Sequence, residues 1–134
     1  MHLIKKPYWL WFSCSVVFLF VLCEMGTSQE RPAFSAAQID FFENKVRPIL
    51  VDHCLECHGA KKGKLRGGLP LTSRQEILEG GDSGSGAVPG NPDESLLMSA
   101  VLYNDFEMPP SGQLPAEEIE VLAEWIRTGL PDPR

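Results

Sequence analysis

A run of five residues, Cys54-Leu55-Glu56-Cys57-His58, constrains this chain more than any other feature. It has the form C-x-x-C-H, in which two thiols stand about one helical turn apart and a histidine follows directly. Both thiols can reach the two vinyl groups on one edge of a porphyrin, and the imidazole can reach its iron. The pattern is typical of a c-type haem attachment site. We therefore predict that Cys54 and Cys57 attach haem c covalently and that His58 is its proximal iron ligand.

Three other kinds of site use similar residues. A thioredoxin-like dithiol is expected within a strand–helix–strand pattern, and no such pattern surrounds Cys54 and Cys57. A structural zinc site needs four ligands, and the only other nearby candidate, His53, is poorly placed to complete a tetrahedron. A Cys54–Cys57 disulfide is sterically possible but gives His58 no role. Only the haem interpretation accounts for all three residues of the motif.

Residues 1–28 have the pattern of a secretory signal peptide. Lys5 and Lys6 precede a largely apolar run of 16 residues, Tyr8–Cys23, and Ser28 is a small residue after which cleavage is expected. An uncleaved N-terminal anchor is the alternative, although 16 residues fall short of the roughly 20 that span a bilayer. We expect export to the periplasm or cell envelope, with membrane contact only through this segment if it remains.

Two of the four cysteines lie in residues 1–28, so cleavage after Ser28 would leave only Cys54 and Cys57 in the mature chain. Residues 29–134 carry 17 acidic and ten basic side chains, a net charge of −7 with histidine neutral. This charge argues against nucleic acid as a partner, because nucleic acid requires a basic surface. Four basic residues nevertheless follow the haem motif: Lys61, Lys62, Lys64 and Arg66. They are either a docking patch for an acidic redox partner protein or a solvated loop.

Helical patterns recur between residues 35 and 130. Ser35 and Gln38 form a capping box, and the helix that they begin should kink or break at Pro48 before a short segment delivers the haem motif. Further helices are predicted from Ser73 to about Gly80, from Asn91 onwards, and from about Pro115 to Thr128. The sequence therefore predicts an all-α domain over residues 35–130, with about four short helices and long Gly/Pro-rich loops around one covalently attached haem.

The second axial ligand is expected to be a methionine. Met108 lies in Phe106-Glu107-Met108-Pro109-Pro110, a loop stiffened by two prolines. Such a loop can present a thioether to the iron from the side opposite His58. Met98 lies inside a predicted helix and is expected to pack in the core.

These features together resemble a small class I cytochrome c, and more closely the planctomycete-type cytochrome c domain. The resemblance covers residues 34–130 and is carried by these segments: Phe41–Leu50, Cys54–Gly59, Gly67–Leu69, Gly81–Gly84, Val88–Leu97, Met108–Pro110 and Ile119–Ile126. Departures from the usual family pattern are small, namely Thr72, Ser85-Gly86 and Leu114.

The resemblance implies a monohaem domain with Cys54 and Cys57 as thioether attachments, His58 as proximal ligand and Met108 as distal ligand. Such a domain usually stands at the start of a longer exported protein. The expected function is transfer of single electrons without catalysis at the iron. Two alternatives remain: a haem enzyme or gas sensor in which Met108 dissociates, and an interaction module of a larger exported protein whose haem mainly nucleates folding.

Overall fold

The computed structural model describes residues 34–59 and 65–134. Within these ranges it contains α-helices and short helical turns but no β-strand, so the predicted all-α class is confirmed. In chain order the α-helices are α1 (Ala36–Phe41), α2 (Arg47–His53), α3 (Leu55–His58), α4 (Arg74–Glu79), α5 (Leu96–Val101) and α6 (Ala116–Arg127). The predicted signal peptide and Lys61, Lys62 and Lys64 lie outside the described residues. Among the residues described, no helix is long and apolar enough to cross a bilayer.

The first predicted helix is continuous along the chain but divided in hydrogen bonding. The capping box at its start is confirmed, since Ser35 Oγ accepts from the Gln38 amide at 3.2 Å and Gln38 Oε1 accepts from the Ser35 amide at 2.9 Å. A π-helical turn, Phe42–Val46, joins α1 to α2, and Pro48 lies in the first turn of α2. Proline has no N–H and its ring crowds the carbonyl of the preceding turn. The wider π-turn accommodates Pro48 here, where a kink or a break was expected.

Two aromatic residues from distant parts of the chain form the centre of the core. Phe42 and Trp125 are both fully buried, and their ring centroids lie 5.9 Å apart. Trp125 also donates its indole N–H to the carbonyl of Pro131 at 2.8 Å. This indole hydrogen bond satisfies the single polar group of a buried tryptophan. The contact fixes α6 against the first helical segment, which leads into the haem motif.

The helix predicted from Asn91 is divided into two pieces by Ser95. Pro92–Glu94 form a 3-10 turn, Ser95 has extended backbone angles, and α5 begins only at Leu96. The Ser95 side chain is buried, donates to the Asn91 carbonyl at 2.8 Å and accepts from the Val88 amide at 2.9 Å. These contacts replace helical hydrogen bonds, so α5 starts later than the sequence predicts.

The end of α6 follows the sequence closely. Gly129 has a φ of 99°, and the amide of Leu130 donates to the Trp125 carbonyl at 3.0 Å. This is the Schellman arrangement expected from a glycine directly after the helix. The residues that follow also pack on the core: Asp132 is buried, and the Arg134 guanidinium lies 5.0 Å from the centre of the Phe42 ring.

Candidate functional site

One cavity is lined by all four of the predicted haem-binding residues, Cys54, Cys57, His58 and Met108. Its space not filled by protein atoms is about 1040 Å³, including the opening to solvent. Most of the remaining lining is aliphatic or aromatic: Leu50, Leu69, Leu71, Leu96, Leu97, Ala100, Val101, Phe106, Pro109, Pro110 and Leu122. Ligand pockets in proteins are lined mainly by hydrophobic and aromatic side chains. The apolar lining of this cavity suits a porphyrin.

His58 is oriented by the segment that follows the haem motif. Its Nδ1 lies 2.8 Å from the carbonyl oxygen of Leu69, and its own backbone carbonyl accepts from the Leu71 amide at 2.9 Å. A carbonyl oxygen can only accept, so Nδ1 carries the ring proton. In the neutral imidazole, the form that binds metals, this tautomer leaves the lone pair of Nε2 free. Metal-binding histidines are commonly held in this way, with the second ring nitrogen donating to a carbonyl.

The Met108 loop is fastened to the C-terminal end of α5. The Met108 amide donates to the Ala100 carbonyl at 3.2 Å, and the phenol of Tyr103 donates to the Pro109 carbonyl at 2.7 Å. Met108 is half-buried at the cavity, whereas Met98 is only 5% exposed in the core and does not line it. Of these two methionines, Met108 is thus the one placed beside the haem motif.

Two glycine-containing segments meet to form another wall of the cavity. The Asp82 amide donates to the Gly67 carbonyl at 2.8 Å, which joins residues 66–69 to residues 81–84. A Cβ at Gly81 would lie 2.3 Å from that same carbonyl oxygen, so a larger residue would push the segments apart. Arg66 and Ser83 place polar side chains along this wall. The close backbone contact favours glycine at Gly81, and positive φ angles favour glycine at Gly67 and Gly84.

The surroundings of Cys54 disfavour its thiolate form. Burial, together with the nearby Glu118 carboxylate, raises the pKa of Cys54 to about 11. Reactive dithiols commonly have a lowered thiol pKa, because the thiolate is the reacting form. The raised pKa of Cys54 therefore weighs against the thioredoxin-like interpretation. Among the described residues, no group of three or more His, Cys, Asp or Glu could hold a metal ion.

Several residues of this site were not found from the sequence. His53 also lines the cavity, and its Nε2 lies 3.3 Å from Glu118 Oε2, although the two atoms are not aligned for a hydrogen bond. The carbonyl of Leu69 and the phenol of Tyr103 were missed as well. These contacts join residues that are distant in the chain, and the sequence carries no local signal for them. Trp125 packs in the core and does not line the cavity.

The comparisons with known proteins agree with this geometry. Residues 54–112 match the family model described as Planctomycete cytochrome C. Comparison with curated proteins and with solved structures gives no match. The matched range begins at the first cysteine of the haem motif and includes the glycine-rich wall, α5 and the Met108 loop. Residues 54–112, which supply most of the cavity lining, are therefore similar to the planctomycete-type cytochrome c domains, a haem-binding family.

Proposed function

We propose that this domain attaches one haem through Cys54 and Cys57, ligates its iron with His58 and Met108, and relays single electrons outside the cytoplasm. The observation that carries the proposal is the shared cavity, which brings the C-x-x-C-H motif and the distant Met108 loop together. The orientation of His58, with Nε2 free for a metal, supports the same assignment. The family match supports haem binding.

Each residue has a separate task in this proposal. The two thiols would form thioether links that prevent loss of the cofactor. His58, oriented by the Leu69 carbonyl, would supply an imidazole nitrogen, and Met108 would supply a thioether sulfur from its own loop. Bound haem supplies reversible one-electron chemistry, and ligation by histidine and methionine raises its reduction potential.

Arg66 is the candidate partner for the two carboxylates that haem carries. It is the only arginine or lysine that lines the cavity within the described part of the chain, and it is exposed at the glycine-rich wall. A carboxylate placed near an apolar cavity needs a charged or hydrogen-bonding partner. A planar guanidinium can donate two parallel hydrogen bonds to it.

Electron relay is favoured over catalysis at the iron because the chain supplies two axial ligands. A substrate such as peroxide could bind only after Met108 had left. The two hydrogen bonds that fasten the Met108 loop to the end of α5 oppose that departure. A relay needs only a brief encounter with its partner, which is typical of small redox interfaces below about 1,200 Å².

The experiment uses the haem-loaded protein with no substitution. Reduced protein should transfer its electron rapidly to a small-molecule acceptor, and its oxidised form should show the absorption spectrum of six-coordinate iron. Adding peroxide should give no saturable turnover. Fast peroxide turnover would instead support the haem-enzyme alternative, and rapid binding of a diatomic gas would support the sensor alternative.

Export is the remaining part of the proposal. It depends on the signal-peptide pattern of residues 1–28. Haem attachment is compatible with export, since it gives the two cysteines of the predicted mature domain a role other than a disulfide. Expression of the full chain followed by mass spectrometry should show a protein that starts after Ser28 and is recovered from the periplasm. An intact N-terminus in the membrane fraction would support the anchored alternative.

A further inference from the structure

Tyr103 occupies a position at the end of α5 where glycine is usual. The Asn104 amide donates to the Ser99 carbonyl at 3.0 Å, and the Tyr103 amide donates to the Ala100 carbonyl at 3.2 Å. These two bonds define a Schellman end in which Tyr103 has a φ of 63°. The same arrangement at the end of α6 uses Gly129, with a φ of 99°. A side chain in this left-handed conformation is strained, so its presence at Tyr103 calls for a compensating contact.

The compensating contact leads directly to the Met108 loop. The Tyr103 phenol is half-buried and donates to the carbonyl of Pro109 at 2.7 Å. Pro109 follows Met108 in the chain and is itself buried. Met108 is held as well, since its amide donates to the Ala100 carbonyl at 3.2 Å. The end of α5 thus holds the loop both at Met108 and at Pro109.

We propose that Tyr103 is a positioning residue for Met108, and that its hydrogen bond to Pro109 sets how readily foreign ligands replace Met108 at the iron. The inference rests on the proposed ligation by Met108. A foreign ligand can bind the iron only when the Met108 loop is open. Its apparent affinity is therefore proportional to the fraction of molecules in which the loop is open. Removing the phenol group would make opening easier while the tyrosine ring position and the rest of the cavity are retained.

The test is cyanide binding to the oxidised, haem-loaded protein. Tyr103→Phe should lower the dissociation constant of cyanide by about 2- to 10-fold, the factor expected from loss of one neutral hydrogen bond. Thr128→Val is the matched control, because Thr128 also donates a side-chain hydrogen bond to a backbone carbonyl at a Schellman end, that of α6. The control should leave the dissociation constant unchanged. Equal affinities in the Tyr103→Phe and unsubstituted proteins would overturn the inference.

A double-variant cycle shows whether Tyr103 acts through Met108. In a Met108→Ala background, Tyr103→Phe should have no further effect on cyanide affinity, because the ligand that it positions is already gone. A persistent effect would mean that Tyr103 acts on the cavity by another route, which contradicts the inference.

The absorption band of a methionine–iron(III) bond gives a second readout. As denaturant is added, this band should weaken at a lower concentration in the Tyr103→Phe variant than in the unsubstituted protein.

The cycle also separates this inference from the proposed function. If Met108→Ala tightens cyanide binding strongly and Tyr103→Phe does not, Met108 remains the ligand and only the role of Tyr103 is wrong. If Met108→Ala has no effect on cyanide affinity, the assignment of the distal ligand is wrong and the role of Tyr103 is wrong with it.

Discussion

At the scale of single residues, the proposed ligation of the iron depends on which of two methionines lies at the haem cavity. Met98 and Met108 lie ten positions apart, but Met98 is buried in the core while Met108 lines the cavity. Met108→Ala should lower the reduction potential and open the iron to small ligands, because loss of the thioether removes a ligand that raises the potential. Spectroelectrochemical titration of the haem-loaded protein measures the potential.

Met98→Ala is the matched control for that substitution. It should cost about 2–5 kcal/mol of stability, as expected for truncation of a buried methionine, and leave the potential close to that of the unsubstituted protein. If Met98→Ala lowers the potential and Met108→Ala does not, the wrong methionine has been assigned.

The haem motif could be predicted from sequence because its chemistry is local. Cys54, Cys57 and His58 are nearly adjacent, so their identity and spacing are enough to predict what they bind. The partners that orient them are not local: Leu69 is eleven residues beyond His58, and the Tyr103 contact depends on a turn that sequence rules assign to glycine. A tyrosine at that position carries no signal until the loop that it touches is known.

At the scale of elements, the start or end of a helix was predictable wherever the capping residue is close in sequence to the backbone groups that it satisfies. The capping pairs Ser35–Gln38 and Ser73–Glu76 and the end of α6 at Gly129 all satisfy backbone groups within one turn. The division of the helix after Asn91 was not predictable. It depends on the contact of Ser95 with Val88, which belongs to a preceding loop.

Ser95 therefore provides a test of what holds that loop to α5. Ser95→Ala should lower the free energy of unfolding by about 1–3 kcal/mol, because the buried Ser95 hydroxyl makes two hydrogen bonds, with the Val88 amide and the Asn91 carbonyl, and both would be lost. Denaturant unfolding of the haem-loaded protein measures the change. Ser85→Ala is a suitable control, since Ser85 also bonds to a nearby carbonyl but is exposed. Equal losses in both variants would show that burial of Ser95 is unimportant.

At the scale of the whole molecule, the cofactor is expected to complete the core. A domain of about 100 residues buries only about two thirds of its unfolded surface, and this one keeps an apolar cavity, open to solvent, next to its core residues. A Cys54→Ser/Cys57→Ser variant without haem should be largely unfolded, because a ligand that binds only the native state stabilises it. Circular dichroism and thermal melting measure this. Native-like helicity with a cooperative melt would contradict it.

The basic cluster after the haem motif is expected to attract an acidic redox partner through long-range electrostatics. Arg66 is exposed beside the cavity, and Lys61, Lys62 and Lys64 precede it in sequence. Electron transfer to an acidic partner should slow as salt rises, since the Debye length falls from about 30 Å at 0.01 M to about 8 Å at 0.15 M. Stopped-flow rates at these salt concentrations measure the effect. A rate independent of salt would identify the cluster as a solvated loop and would leave the relay proposal intact.

The most direct test of the account is whether the haem is covalently bound at Cys54 and Cys57. The chain should be expressed with cytochrome c maturation machinery, extracted with acid–acetone and analysed by mass spectrometry, with the double serine variant as control. We predict that the colour stays with the protein, that its mass exceeds the processed chain by one haem, and that the added mass lies in the peptide containing Cys54 and Cys57. Complete transfer of the colour to the organic phase would contradict the account.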